Sequence, residues 1–174
     1  MSVESLIGSW TEVRNGFIEE AGQVPADQFS FRATPETRSV AEIVQHIIET
    51  QAVLIGEALR AEPNLLRQSF ADHIREYAPE VAPTTDKDSL LALMRSSMDK
   101  AAATIRANAD KLGDSIKRFD GREMTKLDFL RFGASHEMYH RGQLTVYERL
   151  LNIKPALTTK FEKLFSQPRA KAAD

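Results

Sequence analysis

The sequence holds four histidines, His46, His73, His136 and His140, and no cysteine. Disulfides, thiolate nucleophiles, iron–sulfur clusters and cysteine-type zinc sites are therefore excluded, and any metal must be held by nitrogen or oxygen. His136 and His140 stand four positions apart. On an α-helix this spacing puts them about 40° apart around the axis and about 6 Å along it. Imidazoles so placed can reach one metal ion, which needs nitrogens at about 2.0–2.1 Å. The same helical face carries Phe129, Phe132, Gly133, Gln143, Leu144, Tyr147 and Leu151. The pair thus sits within an apolar stripe and points inward. Gly133, one turn before His136, opens room or lets another helix approach. His46 lies on the shoulder of the apolar face of an earlier helix, one turn after Ile43 and two turns before Leu54. Its depth matches that of the pair only if the facing helices are offset, or if the later helix begins with an extra turn.

A neutral histidine buried without partners leaves a donor and an acceptor unsatisfied, at about 1–3 kcal/mol for each group. Three such rings meeting in one core would be costly for a domain whose whole stability is about 5–15 kcal/mol. A divalent metal satisfies three ring nitrogens at once, and the remaining N–H groups then need acceptors. Glu42, Glu49, Thr50 and Glu137 lie one turn from the histidines or next to them. Gln143 and Tyr147 follow His140 on one face: Tyr147 reads as core, while Gln143 is divided between orienting a ligand and buried bonding. Arg141 points away and reads as a surface or dimer contact. His73 sits in the polar stretch Ala71-Asp-His-Ile-Arg75 and reads as solvated.

His136-Glu-Met-Tyr-His140 also satisfies the His-Glu-x-x-His pattern, in which the glutamate activates a zinc-bound water. A peptidase would need a third ligand downstream. No histidine follows His140, Glu148 points about 80° away from it, and Glu162 is the remaining distal carboxylate. Such peptidases also use a strand edge to bind peptide, and no strand is evident. The peptidase is the disfavoured alternative.

Long helices must position these residues. The seven prolines fall between periodic segments. The first helix spans about residues 3–21, with Leu6, Trp10, Val13 and Phe17 as its stripe, and 22–38 is a connection. Ser39-Val-Ala-Glu42 is a capping box opening a second helix to about Arg60. Residues 61–84 are mixed, with a short helix around Leu65–Tyr77. Thr85 with Asp88 caps a third long helix over about 86–112. Asp120-Gly121 marks a turn. Thr125 with Asp128 caps a fourth helix to about Leu151, stopped by Asn152 and Pro155, and a last short helix reaches Phe165. Four long amphipathic helices predict an all-α four-helix bundle. One domain over 1–166 and a flexible tail over 167–174 are expected. The connections at 22–38 and 61–84 exceed the usual 2–8 residues, roughly, of simple bundles, and such loops can wall a pocket.

Hydrophobic residues make up 42% of the 174 positions and charged residues 28%, a globular composition. The net charge of -2 lacks the basic footprint of a nucleic-acid binder. No run approaches the roughly 20 apolar residues that span a bilayer, and no signal peptide is evident at the N-terminus. The expectation is a cytoplasmic protein with no nucleic-acid or membrane partner.

Asp120-Gly-Arg-Glu-Met-Thr-Lys-Leu-Asp-Phe-Leu130 and His136-Glu-Met-Tyr-His-Arg-Gly-Gln-Leu-Thr-Val-Tyr-Glu-Arg-Leu150 resemble the DinB/YfiT-like family of metal-dependent enzymes, His-Arg-Gly-Gln-Leu144 being the most specific piece. Ser39-Val-Ala-Glu-Ile-Val-Gln-His46 resembles the family's first ligand helix. The resemblance covers nearly the whole chain. It implies a four-helix bundle, frequently a homodimer, with a divalent metal such as zinc or nickel held by three histidines at positions matching His46, His136 and His140. It also implies chemistry of the kind found in S-transferases and isomerases that use low-molecular-weight thiols. The leading expectation is a metal-dependent enzyme acting on a small molecule by thiol transfer or hydrolysis. A non-catalytic metal-binding or stress-associated protein and a metal-free interaction module are the alternatives.

Overall fold

The computed structural model describes residues 2–166; the segment 167–174, expected to be a tail, lies outside them. Four long helices dominate: α1 (Val3–Gln23), α2 (Val40–Ala58), α4 (Lys87–Ala107) and α5 (Lys126–Leu150). Two shorter ones, α3 (Phe70–Tyr77) and α6 (Ala156–Ser166), pack on α2 and α1 respectively. The expected all-α four-helix bundle is the observed fold.

Local chemistry starts each helix. Ser39 accepts from the Glu42 amide while the Glu42 carboxylate accepts from the Ser39 amide, so two otherwise orphaned donors are satisfied. Thr125 caps α5 by accepting from the Asp128 amide. Asn152, at φ 61°, takes the left-handed conformation that ends α5. The start of α4 is a correction. Its cap is Asp86, which accepts from the Ser89 amide, and not Thr85; the helix also ends at Ala107, short of the expected 112.

The sequence suggested no strands, yet two are present among the described residues. β1 (Ser115–Lys117) and β2 (Glu123–Thr125) form an antiparallel hairpin, turned at Gly121 with φ +78°. Three residues per strand are too few to show alternation in sequence. The hairpin buries Ile116 and holds the second long connection, since the Leu65 amide donates to the Lys117 carbonyl at 3.0 Å.

The helices form a square in which α1 packs on α4 and α5, and α2 packs on α4 and α5. The consecutive long helices α1 and α2 therefore lie across the diagonal, as do α4 and α5. Each diagonal crossing requires a long connection, which accounts for residues 24–39 and for the hairpin segment. The interior divides into two apolar clusters. One gathers Phe17, Ile43, Ile47, Met94, Leu144 and Tyr147; the other gathers Trp10, Leu54, Met98, Ile105, Phe129 and Leu130. The start of α2 shares a cluster with the end of α5, and its end shares one with the start of α5, so the two helices run in opposite directions. Between the clusters lies a polar layer that includes Arg14, Gln51 and Glu137, all buried. The histidines sit at this level.

Candidate metal centre

Three of the four histidines converge. His46 Nε2 lies 3.2 Å from His136 Nε2, and His140 Nε2 lies 3.2 Å from the same atom. One ring nitrogen from each falls within 4.8 Å of the others. The opposite directions of α2 and α5 settle the matter of depth, because the first half of α2 then faces the middle of α5, where His136 and His140 sit. His140 is buried, while His46 and His136 are half-buried.

The protons of these rings can be placed. His140 Nδ1 lies 2.9 Å from Gln143 Oε1, an acceptor, so Nδ1 carries the proton and Nε2 presents a lone pair to the centre. His46 Nδ1 faces the Thr50 hydroxyl at 3.5 Å, a loose contact. Each Nε2 has a single donor or acceptor site, so three that meet cannot all be paired by one another. Burial, then the Arg38 charge and the two neighbouring rings, pushes His46 down to about 3. Burial, then His140 and Arg38, pushes His136 down to about 4. Burial also lowers His140, against the Gln143 bond that favours its charged form. All three rings are neutral near pH 7, the form that binds metal.

The group fits a cation. Nitrogens at about 2.0–2.1 Å from a tetrahedral ion are separated by about 3.3–3.4 Å, close to the two 3.2 Å separations found here.

Several expected neighbours do other work. Glu137 accepts from Trp10 Nε1 at 2.8 Å and from two nitrogens of Arg14, which also donates to the Met94 carbonyl at 2.8 Å. This pair organises the polar layer, and the peptidase reading loses its general base. Glu42 is held by Arg32 and the cap, and Glu162 by Lys154 at 2.8 Å. Glu148 is buried beside Gln23. None is an acceptor or ligand at the histidines. Gln143 fills the acceptor role expected of those carboxylates.

Three further readings are corrected. His73 is buried, 1% exposed, because α3 packs it against α2. Its Nδ1 lies 3.5 Å from Glu57, a buried carboxylate that also binds Arg67 and Tyr77. A buried acid on the apolar face of α2 was the available signal. Arg141 is not a surface group: it lies over Gly16, where a Cβ would collide with its guanidinium, and donates to Glu20. Phe132 faces outward, 41% exposed, with its ring 5.8 Å from that of His136. Gly133 behaves as expected; a Cβ there would meet Trp10 Cη2 at 2.5 Å.

A cavity of about 360 Å³ opens beside His46, lined by Arg38, Glu42, Gln45, Glu49, Phe70 and Ile74. Arg38 ends the first long connection and Phe70 and Ile74 belong to the second, so both contribute walls, with α2 as the floor. Burial raises the pKa of Glu49, and the Arg38 charge opposes that rise.

The sequence profile of the DinB superfamily matches residues 9–144. A comparison with curated proteins finds no match. Among solved structures, the DinB-like protein YjoA of Bacillus subtilis is 23% identical, with 85% of this chain and 92% of that one covered at a TM-score of 0.64. YfiT from Bacillus subtilis, described as a probable metal-dependent hydrolase with an unusual four-helix bundle topology, is 16% identical over 87% of this chain and 89% of that one, at a TM-score of 0.68. A mycothiol-dependent maleylpyruvate isomerase is 12% identical over 83% of this chain but 61% of its own, at a TM-score of 0.64. At these identities the likeness shows a shared fold. With the profile spanning most of the sequence, this chain belongs to the DinB superfamily.

Proposed function

We propose that His46, His136 and His140 hold one divalent metal ion and that the chain is a metal-dependent enzyme acting on a small molecule, by thiol transfer or hydrolysis. The observation that carries this reading is the meeting of three neutral Nε2 atoms that cannot all be paired by one another. When bound, a divalent ion on three uncharged ligands keeps its full charge and acidifies a water or a thiol. The protein's own part is positional. Gln143 orients His140, α2 and α5 fix the separation of the rings, and Phe132 and Tyr139 flank the site with ring centroids 5.8 Å from His136 and 5.1 Å from His140. Glu49 lines the cavity and is placed to take up and return a proton.

The cavity beside His46 favours an enzyme over a metal-binding protein without catalysis, which needs no such space. A thiol cosubstrate is supported by the resemblance and by the thiol dependence of the isomerase neighbour. Assembly as a homodimer in the cytoplasm belongs to the same reading. Exposed Val146 and Leu150 on α5 and Phe161, Leu164 and Phe165 on α6 supply apolar surface for it, and sedimentation equilibrium measures it directly. Among the described residues no helix is long and apolar enough to cross a membrane.

The test is a screen of untagged, metal-loaded protein against low-molecular-weight thiols paired with small electrophiles, and against small esters and amides. The expected activity disappears on chelation, returns with metal, and is absent in His136→Ala. Activity that survives chelation or that substitution overturns the reading.

A further inference from the structure

Arg38 differs from every other arginine among the described residues. Each of the others donates a side-chain hydrogen bond or forms an ion pair, from the buried Arg14 with Glu137 to the exposed Arg106 with Glu4. Arg38 does neither, although it lines the cavity beside His46. Its charge is felt by all three histidines and by Glu49. The cavity's other acid, Glu42, is already held by Arg32 and the Ser39 amide, so it does not neutralise Arg38.

The root of this side chain is fixed. The Tyr147 hydroxyl, on the helix that carries His136 and His140, donates to the Arg38 carbonyl at 2.9 Å. The next residue, Ser39, is locked in the capping box. A guanidinium whose backbone is held while its head stays unpaired is prepared for an anion from outside. The planar fork of an arginine matches a carboxylate, to which it donates two parallel hydrogen bonds. Phe70 and Ile74 of α3 give the same cavity an apolar lining that suits a short carbon body.

We propose that Arg38 is the anchor for a carboxylate on the small molecule that enters the histidine centre, so that the substrate or thiol cosubstrate is an organic acid gripped at one end by Arg38 while its reactive end faces the histidines. This proposal rests on the metal-centred reading above, and the experiment below separates their failures.

The probe is the untagged protein loaded with cobalt(II), whose visible spectrum reports its ligands, titrated with 3-mercaptopropionate and with the methyl ester of that acid. The two thiols differ in one negative charge. The acid is expected to bind about tenfold more tightly than the ester at low ionic strength, the scale of one charge-assisted bidentate contact. Added salt should shrink the preference, because Arg38 is exposed. In Arg38→Gln the acid should fall to the level of the ester, and the affinity of the ester should stay within about twofold. Arg38→Lys should restore part of the preference. Cobalt stoichiometry and circular dichroism confirm that the variants fold. Equal affinities in the wild type, or a preference that survives in Arg38→Gln, overturns the role of Arg38 and leaves the metal reading standing. A cobalt-loaded protein that responds to neither thiol contradicts the metal-centred reading and the anchor together.

Discussion

His140 shows how one side chain is made into a ligand. Its Nδ1–H is spent on Gln143, so its Nε2 faces the centre bare, 3.2 Å from His136 Nε2. Replacing Gln143 with Ala frees that ring to turn and to change tautomer. Metal affinity should fall about 10- to 100-fold, as when other orienting partners of metal-bound histidines are removed, read by competition with a chromophoric chelator. Protons compete with metal only when pH approaches the ring pKa. His46 and His136, held at about 3 and about 4 by burial, stay deprotonated well into acid. Between about pH 7 and about pH 5 proton competition should therefore come from His140 alone, so no more than about one proton is displaced per ion bound, and His46 and His136 add to it only nearer pH 4; displacement of two or three protons per ion near pH 6 would signal ordinary imidazoles. The pair at 136 and 140 was legible because helical spacing is a local property. Arg14 and Glu137, 123 positions apart, were not, because nothing local joins them. His73 was misjudged for the same reason: its neighbours in sequence are polar, but its neighbours in space are Glu57 and Tyr77.

At the scale of elements, α5 approaches α1 at Gly133, against the ring of the chain's single tryptophan. Trp10 is 1% exposed and tied to Glu137, so it has little freedom to retreat. Gly133→Ala should cost about 1–3 kcal/mol in urea denaturation followed by Trp10 fluorescence, as overpacking of a core does. The docking of α6 rests on buried acids. Glu20 accepts from the amides of Ala156 and Leu157 and from Arg141, while Glu148, beside it, leaves Oε2 without a partner. Burial, with Glu20 adjacent, raises the Glu148 pKa to about 8. The folded chain thus keeps a proton that the unfolded chain loses as pH rises through about 4.5. Stability should fall as pH rises from about 4.5 to about 8, and Glu148→Gln should flatten that part of the profile in thermal unfolding. Helix starts were legible where Ser39 and Thr125 offered caps. The hairpin was not, since strands of three residues are too short to show alternation.

For the whole molecule, the bundle was legible from four apolar stripes, but its connectivity was not. Periodicity says which face of a helix is buried and nothing about which helix covers it. The crossing of α1 to α2 and of α4 to α5 along the diagonals places α2 beside α5, and this adjacency, absent from any local pattern, brings His46 to His136 and His140. The most direct measurement is metal stoichiometry by elemental analysis of protein purified without an affinity tag or chelator, then reloaded with zinc, for the wild type and for His46→Ala, His136→Ala and His140→Ala. One tightly held ion per wild-type chain is expected, with binding weakened at least about 100-fold in each single variant. A wild-type chain that holds no ion, or a His46→Ala chain that binds as tightly as the wild type, would contradict the shared centre.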